Sequence, residues 1–246
     1  MRVVGVATDP AASGAGAGGS AQPEPPPVFQ AHLEHGVDPA VLAHQHGQVV
    51  VRPLEALRDS DGELVLRLLV RPQFGEPAPR QDQRGRDAGL VVPPGTQLEV
   101  RQRFAAYAVV TSERGLLATE YSARTAALGR WGMPGGGIDP GEQPVAAVLR
   151  EVMEETAQAV EIGELLAVQT SHWVGRSPRD TLEDFQAVRL VYRGRCPEPR
   201  EPEVLDQGGT TASARWVPVP SWRSLPWTHN WEQLLDELFP HGEDGD

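Results

Sequence analysis

Residues 136–158 read GGIDPGEQPVAAVLREVMEETAQ, a glycine-rich turn followed by a helical pattern that carries crowded carboxylates. Glu151, Glu154 and Glu155 are spaced i, i+3 and i+4, so they share one face of the predicted helix. Like charges at this spacing repel one another and destabilise an isolated helix. A divalent cation removes the conflict, because Mg²⁺ and Mn²⁺ prefer oxygen ligands. The pattern therefore predicts a cation-binding face on this helix.

An apolar stripe beside the acidic face predicts that the helix packs on a sheet and that this contact holds the carboxylates still. The stripe consists of Val145, Val148, Leu149 and Val152. Glu142 lies near the predicted helix start, where a carboxylate suits the free N–H groups and the positive end of the dipole.

The same stretch resembles the Nudix box, G-x5-E-x7-R-E-U-x-E-E-x-G-U, in which U is a bulky aliphatic residue. Seven residues occupy its typed positions, namely Gly136, Glu142, Arg150, Glu151, Val152, Glu154 and Glu155. Two positions depart, because Ala157 replaces glycine and Gln158 replaces an aliphatic residue. We expect Ala157 to end the helix in the left-handed conformation that glycine adopts freely. The segment Trp131–Gly135 also resembles the family's lead-in.

The resemblance implies an α/β fold in which a mixed β-sheet is sandwiched between α-helices, with a small N-terminal extension. It also implies a site for Mg²⁺ (or Mn²⁺). The implied metal ligands are Glu151, Glu154 and Glu155, together with a backbone carbonyl of the glycine turn at Gly136.

The catalytic set implied by the resemblance consists of Glu151, Arg150 and Glu142. Glu151 is the first candidate for the general base, oriented by Arg150. Arg150 can instead pair with Glu154 one helical turn later, and the sequence leaves these two roles open. Relatives also use a carboxylate beyond the box, for which Glu183 is the candidate here.

The function implied is metal-dependent hydrolysis of the pyrophosphate linkage in a nucleoside diphosphate joined to another group. ADP-ribose-like compounds, nucleoside triphosphates and dinucleotides all remain open as substrates. The alternative is a nucleotide-binding regulator that keeps the fold without turnover. The N-terminal hundred residues show no basic recognition helix or helix-turn-helix pattern, and the complete carboxylate set favours an enzyme.

Charge and composition narrow the class of protein. A net charge of −12 over 246 residues argues against broad binding to nucleic acid or to an anionic membrane. Apolar runs are too short for a membrane span, and the first residues do not form a signal peptide. Cys196 is the single cysteine, which excludes an intrachain disulfide and favours a half-buried strand residue over a reactive thiol. We expect a cytoplasmic protein.

Changes in composition along the chain predict its organisation. The predicted segments are a disordered segment (1–30), a helix-plus-hairpin extension (31–72), a linker (73–97), the Nudix hydrolase domain (98–240) and an acidic tail (241–246). In the extension, Asp38 predicts a helix cap, Pro39 the first helical residue and Gly47 the stop. Strands at 48–54 and 63–71 form a hairpin that must dock on further structure.

The remaining periodic segments predict the elements of the hydrolase domain. Strands are predicted at 103–111, 115–121, 162–174, 185–194 and 215–219, and a closing helix at 230–239. Four tryptophans in the last part of the chain could stack a base, but packing of the last strand and helix is the favoured role. These are Trp216, Trp222, Trp227 and Trp231.

Histidines in the extension occur in two close pairs, His32 with His35 and His44 with His46. No cysteine or carboxylate nearby in the sequence completes a known ligand spacing, so exposed histidines are favoured over a transition-metal site. The extension could also serve homodimer formation by strand exchange.

Overall fold

The computed structural model describes residues 1–7, 26–80, 84–87, 89–177 and 180–240. The chain divides into two compact units. The first unit comprises Met1–Phe104 and Leu165–Val188, and the second comprises Ala105–Glu164 and Arg189–Asp246. None of the helices in these described ranges is long and apolar enough to cross a membrane.

A four-stranded sheet forms much of the first unit. Its strands are β1 (Arg2–Ala7), β2 (Pro27–His32), β3 (Gln48–Arg58) and β4 (Leu64–Pro72), in the order β2-β1-β4-β3. β3 and β4 pair antiparallel, which confirms the predicted hairpin. β4 also pairs in parallel with β1, which is the docking that a lone hairpin requires.

The prediction of disorder over residues 1–30 is wrong for β1 and for the part of β2 that lies within that range. The apolar segment Val3–Val6 buries its three valines, and pairing with β2 and β4 satisfies its backbone. Residues 8–25, which have the composition that suggested disorder, lie outside the described residues.

Helix α1 (Pro39–Gln45) confirms the sequence signals for its two ends. The Asp38 carboxylate accepts a hydrogen bond of 2.7 Å from the Ala40 N–H, as an N-cap does. Gly47 follows the helix with φ of +71°, a conformation that suits glycine at a helix end.

A second sheet contains eight strands. They are β5 (Gly85–Arg86), β6 (Glu99–Ser112), β7 (Gly115–Tyr121), β8 (Trp131–Gly132), β9 (Gly135–Gly137), β10 (Glu161–Arg176), β11 (Leu182–Arg195) and β12 (Thr211–Val217). The sheet is mixed, as predicted, because β5 pairs with β10 in parallel while β12 pairs with β7 antiparallel. β6, β10 and β11 contribute residues to both units. β5 lies in the segment predicted as a linker, so that segment is not wholly irregular.

In the second unit, β7 pairs with β6, β8 and β12, while β9 pairs with β6. Helix α2 (Pro144–Thr156) contacts β9 and β12. A 3-10 helix (Val219–Ser224) and helix α3 (His229–Leu238) follow β12. Trp222, Trp227 and Trp231 are buried, which confirms packing as their role.

The predicted apolar stripe of α2 is wrong in two of its four members. Val148 and Val152 are fully buried, but Val145 and Leu149 are 38% and 40% exposed. The buried face instead continues to Glu155, which is 7% exposed. The buried face of α2 is therefore shifted toward Glu155. Burial of this carboxylate is tolerated because Gly135 and Thr211 donate hydrogen bonds to it inside the unit.

Candidate active site

The glycine turn of β9 brings backbone against the helix that follows it. Gly135 has φ of +143°, and a Cβ there would lie 2.4 Å from the Ala106 carbonyl oxygen. A Cβ on Gly136 would lie 2.5 Å from the carboxyl carbon of Glu151. Both glycines are thus required by close approach, and the backbone of the turn lies directly beside the Glu151 carboxylate.

Arg150 connects the turn with three carboxylates. Its Nε and Nη2 donate to the two carboxylate oxygens of Glu142 at 2.9 and 3.0 Å, which is a bidentate pair. Nη1 donates to Glu151 Oε1 at 2.9 Å and to Glu154 Oε2 at 3.2 Å. Nη2 also donates to the Gly137 carbonyl at 3.0 Å. The sequence left open whether Arg150 orients Glu151 or pairs with Glu154, and in the structure it does both.

The electrostatics of this network are dominated by Glu142. Its hydrogen bonds to Arg150 are the main cause that raises the arginine's pKa, with a further contribution from Glu151. Glu142 Oε2 also accepts from the Asp139 N–H at 3.0 Å. Glu142 precedes the first helical residue Pro144 and therefore ties the turn, through Arg150, to the middle of α2.

Glu155 is a buried carboxyl with a donor at each oxygen. The Gly135 N–H donates to its Oε2 at 2.9 Å, and the Thr211 hydroxyl donates to its Oε1. Burial raises the pKa of Glu155 to about 7, and the charges of Glu151 and Asp206 act in the same direction. The two hydrogen bonds lower the pKa but do not outweigh these effects.

The donor set fits a hard divalent cation. Glu151, Glu154 and Glu155 supply carboxylate oxygens from one helix, and the backbone of the Gly136 turn lies beside Glu151. Burial is the main cause that raises the pKa of Glu155, and the negative charges of Glu151 and Asp206 raise it further. Arg150 holds one oxygen of Glu151 and one of Glu154. A cation would further offset the repulsion among these carboxylates.

The C-terminal end of α2 contains both departures from the box and explains the one at Gln158. Ala157 has φ of 54° and ψ of 29°, which confirms that it ends the helix in the left-handed conformation. Gln158 is 2% exposed, and its Nε2 donates to the Thr156 carbonyl at 3.0 Å. Its Oε1 accepts from the Arg200 N–H at 2.9 Å and lies 3.7 Å from Cys196 Sγ. An aliphatic residue could make none of these hydrogen bonds.

Two further sequence candidates have clear surroundings. Glu183 is 8% exposed in β11 of the first unit, where Arg101 Nε lies 3.3 Å from its carboxylate. It lines an open pocket of about 860 Å³ together with Arg103 and Phe185. Cys196 is 3% exposed and directly follows β11, so it is buried more deeply than predicted and lies just outside the strand. Burial raises the pKa of its thiol.

A cluster that sequence reasoning missed lies in the first unit. His35, His172 and Asp184 place one ligand atom each within 4.8 Å of one another. Among the described residues, no other three His, Cys, Asp or Glu side chains come this close together. The carboxylates of Glu151, Glu154 and Glu155 do not place their oxygens within 4.8 Å of one another in this way. The sequence holds no alternating signal for it, because residues 169–172 are polar without interruption and Glu183 next to Asp184 is polar as well.

Comparison with known proteins shows which family the chain resembles. A family model described as the NUDIX domain matches residues 101–238. The RNA pyrophosphohydrolase of Erythrobacter litoralis (strain HTCC2594) is 35% identical over 69 residues, which are 28% of this chain and 42% of that protein. The RNA pyrophosphohydrolase of Roseobacter denitrificans (strain ATCC 33942 / OCh 114) is 48% identical over 65 residues, 26% of this chain and 37% of that protein. The chain thus spans less than half the length of these curated relatives.

Among solved structures, the MutT protein from Methanosarcina mazei Go1 is similar, with 19% identity, a TM-score of 0.44, and coverage of 58% of this chain and 96% of that one. The family model covers more than half of the present chain and includes the whole stretch from the glycine turn to the end of α2. The chain therefore belongs to the Nudix family.

Proposed function

We propose that the protein is a metal-dependent hydrolase that cleaves the pyrophosphate linkage of a nucleoside diphosphate joined to another group. The observation that carries the proposal is the Arg150 network, which holds Glu142, Glu151 and Glu154 against the Gly136 turn. A solvated acidic helix face would not need a bidentate arginine or a glycine in contact with Glu151.

The proposed metal ligands are Glu151, Glu154 and Glu155 with a carbonyl at Gly136, and the metal is Mg²⁺ or Mn²⁺. When bound, such an ion neutralises charge on a diphosphate and lowers the pKa of water. Glu154 is the most accessible of the three carboxylates, with 45% of its side chain exposed compared with 18% for Glu151. Glu155 contributes from the interior, anchored by Gly135 and Thr211.

Glu151 is the proposed general base. Arg150 donates to Glu151 Oε1 at 2.9 Å, which orients the carboxylate that would accept a proton from an attacking water. Glu142 holds the guanidinium in place and acts as a positioning residue. Glu183 remains the second candidate for the base, and the variants Glu151→Gln and Glu183→Gln separate the two roles by their rates.

The substrate is proposed as a class. The names of the relatives support pyrophosphate hydrolysis, and the segments that match them are short. The net charge of −12 disfavours extensive contact with an RNA backbone. The deciding assay measures released phosphate on ADP-ribose, nucleoside triphosphates, dinucleotides and 5′-triphosphorylated RNA, each with Mg²⁺ and with Mn²⁺. Binding of any of these without turnover would favour the regulator instead.

Substitution of the ligands tests the metal assignment. Glu154→Gln and Glu155→Gln should each lower the hydrolysis rate at limiting Mg²⁺ by at least about 10-fold, because each removes a charged ligand. The matched control is Glu161→Gln, whose carboxylate is 65% exposed and pairs with Arg195. A near-normal rate in either ligand variant would contradict the role of that residue.

Mg²⁺ should also raise the melting temperature of the wild-type protein in a concentration-dependent way, because the folded state alone presents the site. In Glu154→Gln the same titration should give a smaller shift. A wild-type melting temperature that does not respond to Mg²⁺ would oppose the proposal.

A cytoplasmic location belongs to the same proposal and is supported by a single buried cysteine, which cannot form an intrachain disulfide.

A further inference from the structure

His35, His172 and Asp184 converge in the first unit from three separate parts of the chain. His172 Nε2 lies 2.6 Å from Asp184 Oδ1, and His35 Nε2 lies 3.3 Å from the same oxygen. The two imidazoles meet edge to face, with ring centroids 5.0 Å apart. All three side chains are largely buried, with 22%, 14% and 14% of their surfaces exposed. Two imidazole nitrogens and a carboxylate oxygen thus face one small volume.

The loop that carries His35 is fastened to the strands that carry the other two residues. The Gly36 N–H donates to Gln186 Oε1 at 2.8 Å, and Gln186 Nε2 donates to the Val37 carbonyl at 2.8 Å. Gln186 is 1% exposed and lies two residues after Asp184, on the same face of β11. The position of His35 relative to Asp184 is therefore set by buried hydrogen bonds.

A second attachment fixes the loop to β10. Thr170 Oγ1 donates to Asp38 Oδ2 at 2.5 Å, and Thr170 lies two residues before His172 on the same face. Gly36 has φ of +80°, and a Cβ there would lie 3.0 Å from His172 Cε1. The glycine thus lets the loop backbone approach the His172 ring closely.

The two oxygens of Asp184 have different surroundings. Arg84 Nη2 binds Oδ2 at 2.7 Å, which leaves Oδ1 directed at both histidines. An arginine on the outer oxygen is the kind of support that orients a carboxylate ligand. In contrast, the hydrogen bonding of His35 is incomplete, because its buried Nδ1 has no partner among the described residues.

We propose that His35, His172 and Asp184 form a binding site for a divalent transition-metal ion of the Zn²⁺ class, separate from the carboxylate site of α2. Imidazole nitrogen with a carboxylate is a donor set that suits Zn²⁺ rather than Mg²⁺. In a tetrahedral zinc site, ligand atoms about 2.1 Å from the ion lie about 3.4 Å apart. The 3.3 Å between His35 Nε2 and Asp184 Oδ1 already matches this spacing, whereas the 2.6 Å between His172 Nε2 and Asp184 Oδ1 would have to lengthen for an ion to bind.

Titration of the full-length, metal-stripped protein with Zn²⁺ tests this site. Saturating Mg²⁺ is present throughout, so that the oxygen ligands of α2 are occupied. Isothermal calorimetry should show one Zn²⁺ bound per chain. His35→Ala and Asp184→Asn should each weaken this binding by at least about 10-fold, the smallest loss expected when support of a metal ligand is removed. Co²⁺ should give visible absorption bands of a low-coordinate site, and these should be absent in both variants.

The matched control is His32→Ala, because this histidine belongs to the same unit and its side chain is 75% exposed. It should bind Zn²⁺ like the wild type. Thermal melts of each variant establish that it is folded. If Asp184→Asn does not fold, His35→Ala still tests the site, because His35 lies on a loop and its substitution leaves the strands intact. Wild-type protein that takes up no Zn²⁺ in the presence of Mg²⁺, or His35→Ala that binds it as tightly as wild type, would overturn the proposal.

Discussion

Ala157 holds a left-handed backbone conformation, with φ of 54°, that costs a non-glycine residue about 1 kcal/mol. We expect Ala157→Gly to leave the free energy of unfolding equal or up to about 1 kcal/mol higher, since relief of strain exceeds the added entropy of the unfolded chain. Hydrolysis should be equal or faster. Urea unfolding measures the first quantity and the substrate assay the second.

The control for this prediction is Ala159→Gly. Ala159 is exposed, lies outside any helix or strand, and is not among the residues with positive φ. Glycine there should cost about 0.5–1 kcal/mol through the unfolded state alone. If Ala157→Gly lost as much stability as Ala159→Gly, the left-handed residue would carry no strain.

Glu155 predicts how the stability of the metal-free protein depends on pH. Its pKa in the folded protein is about 7, above the ordinary value of 4.5, because the carboxyl is buried. Between these values the folded state keeps a proton that the unfolded state has lost. The resulting stability is complete below pH 4.5 and is lost as the pH rises through about 7.

The slope from this one group should approach about 1.4 kcal/mol per pH unit. Urea unfolding in the presence of a chelator, at a series of pH values, should show it as a difference between the wild type and Glu155→Gln, which cannot titrate. Parallel pH curves for the two proteins would refute the assigned shift.

At the scale of the element, α2 is stabilised at its C-terminal end by side-chain and loop partners. The Glu154 carbonyl accepts from Leu205 N–H at 2.8 Å and from Asp206 N–H at 3.1 Å. Gln158 Nε2 donates to the Thr156 carbonyl, and Gln158 Oε1 accepts from the Arg200 N–H. These bonds satisfy carbonyls that a helix end otherwise leaves without partners, so the segment after β11 anchors the end of α2.

Gln158→Leu should therefore destabilise the protein, although it restores the residue type of the family motif. Leucine has a similar size, but it leaves the Arg200 N–H without its hydrogen bond, at a cost of about 1–3 kcal/mol. The Thr156 carbonyl loses its bond to Gln158 and keeps the one from the Glu203 N–H at 3.1 Å. Gln45→Leu, at the exposed last residue of α1, is the control and should change the free energy of unfolding little. Equal unfolding curves for wild type and Gln158→Leu would show that water replaces the lost bonds.

At the scale of the whole molecule, the chain's units are not consecutive segments. The first unit combines residues 1–104 with residues 165–188. Deletion of residues 1–97 should therefore lower stability severely, because Gln186 and Asp184 lose their partners in the loop at 35–37. Circular dichroism during urea unfolding measures this, and removal of residues 241–246 is the control. A deletion variant that unfolds like the full chain would contradict the division into units.

The same division decides how a homodimer must be tested. Self-association through the N-terminal region remains a prediction, and the deletion variant would confound loss of an interface with loss of folding. Light scattering on the full chain over a range of concentrations measures the oligomeric state directly.

The sequence by itself determined the features that neighbouring residues encode. The helix at 39–45 follows from its Asp38 cap and its Pro39 start, and the strands β6 and β7 follow from apolar runs around one turn. The box predicted α2 and its left-handed end at Ala157. Capping, turn geometry and helical spacing act over a few residues, so they can be read locally.

Only the tertiary structure decided the features that depend on partners distant in the chain. Thr211 and Gly135 determine that Glu155 lies inside the unit, and with it which face of α2 is buried. β1 becomes a strand because β4 supplies its hydrogen bonds. His35 and Asp184 meet across 149 positions of sequence, and no local spacing records that meeting. The physical reason is that burial and hydrogen bonding are satisfied by whichever groups the sheet brings together.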